Sequence, residues 1–363
     1  HDVTPERCRR KIENAIGDRA IGFTGEKSFG YEGNITGEIA NSRTRFPYQP
    51  GLLQKIKELN PKVLLGDGFF QWTWPAMWHR VTTGTPLVVC YERTHHTERN
   101  AQWYRKLFRK LMVRYISAMS VNGKLSKEYV EELGMSPSKI TLGHMVADTD
   151  TLSRQVQNFS SNDINQFKEK LNIPKDAFVF LSVSRLIQRK GIDYLLTGWA
   201  KFQEINDHCV LLIAGDGPEH DNLLQMCHEQ QIHNVFFTGA VDYEEIYKYF
   251  ALSDVFVIST LEDNWSLVVP EAMACRKPVL CSVYNGCHPE LIDEGHNGWV
   301  FDPMHADDLA DVLENCLDAD PEELGNRSFE IIQQHTPRQA AVAIFNACKL
   351  ALSQNILATD EIK

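Results

Sequence analysis

Residues Arg185 to Gly191 read Arg-Leu-Ile-Gln-Arg-Lys-Gly, and residues Glu262 to Glu271 read Glu-Asp-Asn-Trp-Ser-Leu-Val-Val-Pro-Glu. Arg185 offers a planar fork and Lys190 a point charge, which together can neutralise a diphosphate. Asp263 and Glu271 offer carboxylates that accept hydrogen bonds from the hydroxyls of a ribose or a pyranose. A helix opening near Ser266 would add the amides of Ser266, Leu267 and Val268 and the positive end of its dipole. Taken singly, the first cluster is two solvated cations in a loop and the second a capping acid with a surface glutamate. Two such clusters, each where a strand hands over to a helix, predict the two halves of one nucleotide-sugar site.

The N-terminal half carries a second set of reactive side chains. The run Leu87 to Tyr91 ends in Glu92-Arg93-Thr94-His95-His96. Glu92, His95 and His96 could orient a sugar hydroxyl or handle a proton, since imidazole titrates near neutrality. Surface histidines are the plainer alternative, and adjacent histidines without spaced partners do not predict zinc. Phe70, Trp72 and Trp74 follow another strand end at Leu65 to Gly68, where aromatic faces could stack on an acceptor or pack into the core. Between Arg99 and Lys127 there are eight basic residues and no acidic one. Trp103, Tyr104, Leu107, Phe108, Leu111, Met112 and Tyr115 recur there at helical spacing, with Arg105, Lys106, Arg109, Lys110 and Arg114 on the other side. The pattern fits a helix that packs its apolar face on a sheet, and its basic face suits an anionic membrane.

These residues need a scaffold of alternating strands and helices. From Ala177 onward, apolar runs at Phe178 to Val183, Val210 to Ala214, Val235 to Thr238, Val255 to Ser259 and Val279 to Ser282 predict parallel strands. Helices are expected from near Ile192, Pro218, Tyr243, Ser266 and Ala306, which makes this half a doubly wound α/β domain. Gly215 and Gly217 read as a strand-to-helix turn with a structural role. The first half repeats the rhythm with strands at Val63 to Leu65, Leu87 to Tyr91 and Ile116 to Val121, and a helix over Trp74 to Val81. Gly25 to Gln49 reads as loop, and the polar stretch Asp148 to Asp163 as a linker. Asp148-Thr149-Asp150 imitates a metal-binding acid pair, but its place in the linker makes it a turn. Pro337 to Leu352 reads as a helix that seals the second domain or crosses back to the first. The expected domains are 1–153, 154–335 and a terminal helix in 336–363.

At 363 residues the chain is long enough for two domains, and 43% hydrophobic with 23% charged residues suits a globular enzyme. A net charge of −11 argues against a general nucleic-acid binder. Nine cysteines without CxxC or CxxH spacing suggest neither zinc nor a disulfide framework, and a reducing cytoplasm is the natural setting. No stretch approaches the roughly 20 apolar residues of a membrane span, and no signal peptide is visible.

The second half resembles glycosyltransferase family 4, retaining enzymes of the GT-B fold. The likeness runs through Ser-Arg-Leu-Ile-Gln-Arg-Lys-Gly at 184–191, Ala-Gly-Asp-Gly-Pro at 214–218, Val-Phe-Phe-Thr-Gly at 235–239, Glu-Ala-Met-Ala-Cys at 271–275, Pro-Glu-Leu-Ile at 289–292 and Asn-Gly at 297–298. Weaker likeness covers Ile116 to Asp148. The resemblance implies two Rossmann-like domains facing each other across a cleft, the N-terminal one binding the acceptor and the C-terminal one the donor. It implies that Arg185 and Lys190 hold the diphosphate, that Glu271 accepts the ribose hydroxyls, and that Asp263 takes the first acidic position of the family's Glu-x7-Glu motif. Gly239, Asn264, Trp265, Ser266, Leu267 and Val268 complete the implied donor site. An aspartate in place of that first glutamate, and Asn-Trp-Ser where many members have Gly-Phe-Gly, are departures that leave the donor sugar open. Many relatives place a histidine near the strand end where Glu92 stands. The family's glycine-rich N-terminal loop has no counterpart, so the chain is expected to begin after the first strand, at a helix over Pro5 to Ile16.

The activity so implied is retaining transfer from a UDP- or GDP-sugar to a hydroxyl of a glycan or lipid-linked acceptor, with no metal and no further cofactor. The expected location is the cytoplasm, with peripheral attachment to the inner face of its membrane through 99–127. A sugar-nucleotide epimerase of the same architecture and a non-catalytic nucleotide-sugar-binding partner remain as alternatives.

Overall fold

The computed structural model describes residues 46–69, 73–143 and 145–360, with 14, 15, 17 and 27–29. Phe70, Trp72 and nearly all of the helix expected over Pro5 to Ile16 lie outside the described residues.

The C-terminal domain is built on a six-stranded parallel sheet: β7 (Phe178–Val183), β8 (Cys209–Ala214), β9 (Val235–Phe237), β10 (Val255–Ile258), β11 (Val279–Ser282) and β12 (Gly298–Phe301), in the order β12-β11-β10-β7-β8-β9. The strands are apolar along their length because both faces are covered. Val179 and Leu181 enter one core with Val210, Leu212, Phe256 and Ile258. Phe180 enters the other with Leu211, Ile213, Val255 and Val257. On that second side Phe180 packs edge-on against Trp199 and Phe202 of α7 (Ile192–Phe202). It is fully enclosed, and losing so large a ring costs about 3–5 kcal/mol.

The N-terminal domain has a four-stranded parallel sheet, β3 (Leu64–Asp67), β4 (Leu87–Tyr91), β5 (Ala118–Val121) and β6 (Ile140–Leu142), in sequential order. Helices α2 (Thr73–Thr83), α3 (Trp103–Met112) and α4 (Lys124–Glu132) belong to it, and α1 (Leu52–Leu59) packs on α2.

Several expectations are corrected. Gly25 to Gln49 is not loop throughout, because β1 (Lys27–Phe29) and β2 (Phe46–Tyr48) pair antiparallel within it. The polar stretch 148–163 is largely helical. Asp148-Thr149-Asp150 opens α5 (Thr149–Gln157), whose Leu152 belongs to the C-terminal core. Ser160 and Asp163 then form a capping box at α6 (Ser161–Lys170), a signal visible in Ser-x-x-Asp.

Of the apolar side of α3, Met112 packs on the N-terminal core, whereas Trp103, Tyr104, Leu107 and Leu111 are exposed. Arg109 is turned inward onto the buried carboxylate of Glu98 and toward the Tyr129 hydroxyl at 3.3 Å. Lys106 lies 2.8 Å from Glu132. Glu98, almost enclosed, must be paired with a cation, and that requirement fixes which face of α3 looks in.

Candidate active site

In the C-terminal sheet the chain runs β7, β8, β9 in one direction and then returns to β10 on the other side of β7. At such a switch point the crevice beyond the strand ends is open, and ligands of doubly wound sheets bind there. The loops after β7 and β10 are the two clusters read from the sequence. They are knitted together: Leu261 N donates to Arg189 O at 2.8 Å, Thr260 Oγ1 to the same carbonyl at 3.1 Å, and Ser259 Oγ to Lys190 O at 3.2 Å. Gly191 permits this closeness. Its φ is 62°, and a Cβ there would lie 2.3 Å from Ser259 O.

Within the crevice Lys190 Nζ donates to Asp263 Oδ2 at 2.6 Å, and both side chains are largely covered. Asp263 Oδ1 accepts from Trp265 N at 3.2 Å. Arg185 is exposed, and its side chain has no ion-pair or hydrogen-bond partner among the described residues. Its loop is propped by the turn after β8, since Leu186 N donates to Asp216 O at 2.9 Å. Gly215 is required in that turn, because a Cβ on it would fall 1.8 Å from Ser184 O. Gly239, two residues after β9, accepts at its carbonyl from Gly215 N at 3.1 Å.

Glu271 lies in α10 (Val268–Ala274) and accepts from the Tyr243 hydroxyl at 3.2 Å. Burial pushes its carboxyl up to about 7, and the Tyr243 bond only partly offsets that. The helix starts at Val268, two residues later than the sequence suggested. Ser266 N is not free, since it donates to Asn285 Oδ1 at 3.3 Å. Trp265 is buried in the core rather than turned to the crevice, while Leu267 is exposed and Val268 packs partly on the core.

From the other domain, the segment after β4 meets the loop after β10. Asn264 Nδ2 donates to Glu92 Oε1 at 3.2 Å. His96 Nε2 donates to Leu261 O at 2.8 Å and its ring stacks on Tyr284 at 4.6 Å. Because a carbonyl only accepts, His96 carries hydrogen on Nε2. Arg99 Nη1 lies 3.4 Å from Glu262 Oε2. Burial raises the Glu92 carboxyl, Arg93 pulls it back, and Asp67 and Asp263 push it further up. Burial lowers the His96 imidazole, against the Leu261 bond. His95 is elsewhere, with Nδ1 3.0 Å from Glu132 Oε2 and half its side chain in solvent. Trp74 sits ring to ring with Phe108 at 4.9 Å.

Residues 163–329 match the family described as Glycosyl transferases group 1. The match covers a little under half of the chain. It contains Arg185, Lys190, Asp263 and Glu271, while Glu92 and His96 come from outside it. An uncharacterized glycosyltransferase of Methanocaldococcus jannaschii is 33% identical over 162 residues, 44% of this chain and 41% of the relative. The alpha-D-kanosaminyltransferase of Streptomyces kanamyceticus is 30% identical over 148 residues, 40% of this chain and 38% of the relative. The chain therefore spans about two fifths of these curated relatives. HepE of Anabaena, crystallised with UDP, superposes with a TM-score of 0.66 at 19% identity, covering 86% of this chain and 81% of that one. The fold is GT-B, as the two parallel sheets and their facing loops require.

Sequence reasoning missed Arg99, Tyr243, Tyr284 and Asn285, which the structure places against the candidate residues Glu262, Glu271, His96 and Ser266. Asn285-Gly286 was the one available signal, a turn dipeptide directly after a predicted strand.

Proposed function

We propose that the chain is a retaining glycosyltransferase that moves a sugar from a nucleoside-diphosphate sugar to a hydroxyl of a glycan or lipid-linked acceptor. The observation that carries this reading is the Lys190–Asp263 pair at the sheet's switch point, with Arg185 unpaired beside it in the chain. A cation already held by a carboxylate is preorganised, so the site is not reorganised when negative charge develops. The complexes of the structurally similar HepE with UDP and UDP-glucose support a nucleotide-sugar donor of the UDP class.

In the proposed reaction the bond from the anomeric carbon to the diphosphate oxygen breaks, and the acceptor oxygen bonds to that carbon on the same face. The acceptor's proton passes to the departing phosphate oxygen. Arg185 and Lys190 stabilise the charge growing on the diphosphate, so the scheme draws on no metal. Asp263 would accept donor-sugar hydroxyls and Glu271 those of the ribose. Glu92, with its raised carboxyl against Asn264, would face the sugar from the acceptor domain.

Incubation with UDP- and GDP-sugars, with and without a hydroxyl acceptor, tests the reading. Glycoside formed only with acceptor supports a transferase. A sugar changed without acceptor would make the chain an epimerase, and binding without turnover a donor-binding partner. Replacing Lys190 by Ala should lower kcat/KM by about 2–4 kcal/mol of transition-state stabilisation. Undiminished turnover in that variant would overturn the assignment.

A further inference from the structure

Helix α3 is turned inside out relative to an ordinary amphipathic helix. Trp103, Leu107 and Leu111 share one face at four-residue spacing, with Tyr104 beside them and Tyr115 just beyond the helix end. All five are exposed, from 44% for Leu111 to 77% for Trp103. Of its charged side chains, Arg109 is turned in against the buried Glu98, while Lys106 meets Glu132 at the surface. On α2, Trp74 stacks on Phe108 of α3, and Trp78 and Val81 farther along are 60% and 58% exposed. A contiguous apolar surface of this kind marks a contact site.

We propose that this face of the N-terminal domain docks on an anionic lipid bilayer, its aromatic rings at headgroup level and its leucines in the acyl boundary. Tyr and Trp suit that depth, having an apolar body and a polar tip. The local charge fits the same occupant. Lys110 on the helix and Arg114 just past its end are exposed cations beside this face, on a chain of net charge −11 that anionic lipid would otherwise repel. No helix among the described residues is long and apolar enough to cross a membrane, so the mode is surface insertion. Arg99, a few residues before α3, touches Glu262 of the donor loop, which keeps the cleft close in sequence to the docked helix. Attachment by this face does not depend on the transferase reading, because it needs no substrate.

The test is flotation of the full chain with phosphatidylcholine vesicles, with and without phosphatidylglycerol. The protein is expected to float with the anionic vesicles. Leu107→Asp with Leu111→Asp, both at exposed positions, should cut the floated fraction by about tenfold or more without shifting the melting temperature. Lys110→Gln with Arg114→Gln should remove the preference for phosphatidylglycerol. A wild-type protein that stays at the bottom, or an aspartate variant that floats equally well, overturns the proposal. A dimer in light scattering that the aspartate variant dissolves also overturns it and assigns the face to a second copy of the chain.

Discussion

Glu271 holds its proton to about pH 7 because burial opposes ionisation, whereas in the unfolded chain it loses it near pH 4.5. Between those values the folded state binds the extra proton, so this residue's contribution to stability falls as pH rises through the window and levels off above 7. Glu271→Gln should remove that dependence: its melting temperature should change less than wild type's from pH 4.5 to 7. If the carboxylate accepts ribose hydroxyls, the same variant should bind UDP or GDP more weakly by about 1–3 kcal/mol in calorimetry. Equal affinity would remove Glu271 from the donor site. The candidate side chains were legible because an Arg, a Lys and an acid at strand ends, with a second acid in the helix that follows, have few other uses in common. What the sequence hid is pairing: that Lys190 is already held by Asp263, and that Glu92 and His96 face the loop after β10 while adjacent His95 turns to Glu132. The first depends on how two loops of one sheet are brought together and the second on how the two domains meet, neither of which a local pattern encodes.

Helix α4 links the domains through its N-terminus. Glu290, in α11 (His288–Leu291) of the C-terminal domain, places Oε1 against Lys124 N in a very short contact. A Cβ on Gly123 would lie 2.6 Å from that oxygen, so glycine leaves room for the carboxylate at the helix's positive end. One turn on, Ser126 Oγ donates to the backbone carbonyl of Glu92 at 2.8 Å. Glu290→Gln should therefore lower kcat by about 0.5–2 kcal/mol with a smaller change in donor KM, and Gly123→Ala should act in the same direction. A change confined to KM would show that α4 does not position Glu92. At this scale the sequence was most legible where strands are long and buried. The apolar runs gave β7, β4 and β11 with both ends as observed, while β6 and the glycine-led edge strand β12 lacked a distinct run. The orientation of α3 was illegible because one buried acid, Glu98, outweighs the helix's own apolar periodicity.

Across the whole molecule, a helix that follows the C-terminal domain returns to the N-terminal one. The terminal helix α14 (Pro337–Asp360) lies on the N-terminal sheet, contacting β4, β5 and β6. Ala347 and Ala351 are fully buried against Val88 and Ala118, and Thr141 Oγ1 donates to Ala343 O at 2.9 Å. Small residues at 343, 347 and 351 let the helix backbone approach the sheet, and nothing larger fits a face already close-packed. Among the described residues, the two cores on either side of the C-terminal sheet draw none from α14, so the helix stabilises one domain while being tethered to the other. Ala347→Leu should thus overpack only the N-terminal domain, costing about 1–3 kcal/mol. In calorimetry the transition of that domain should move to lower temperature, while the transition that UDP or GDP raises stays in place. A uniform shift of both would mean the domains unfold as one cooperative unit, with α14 coupling them energetically rather than merely in the chain.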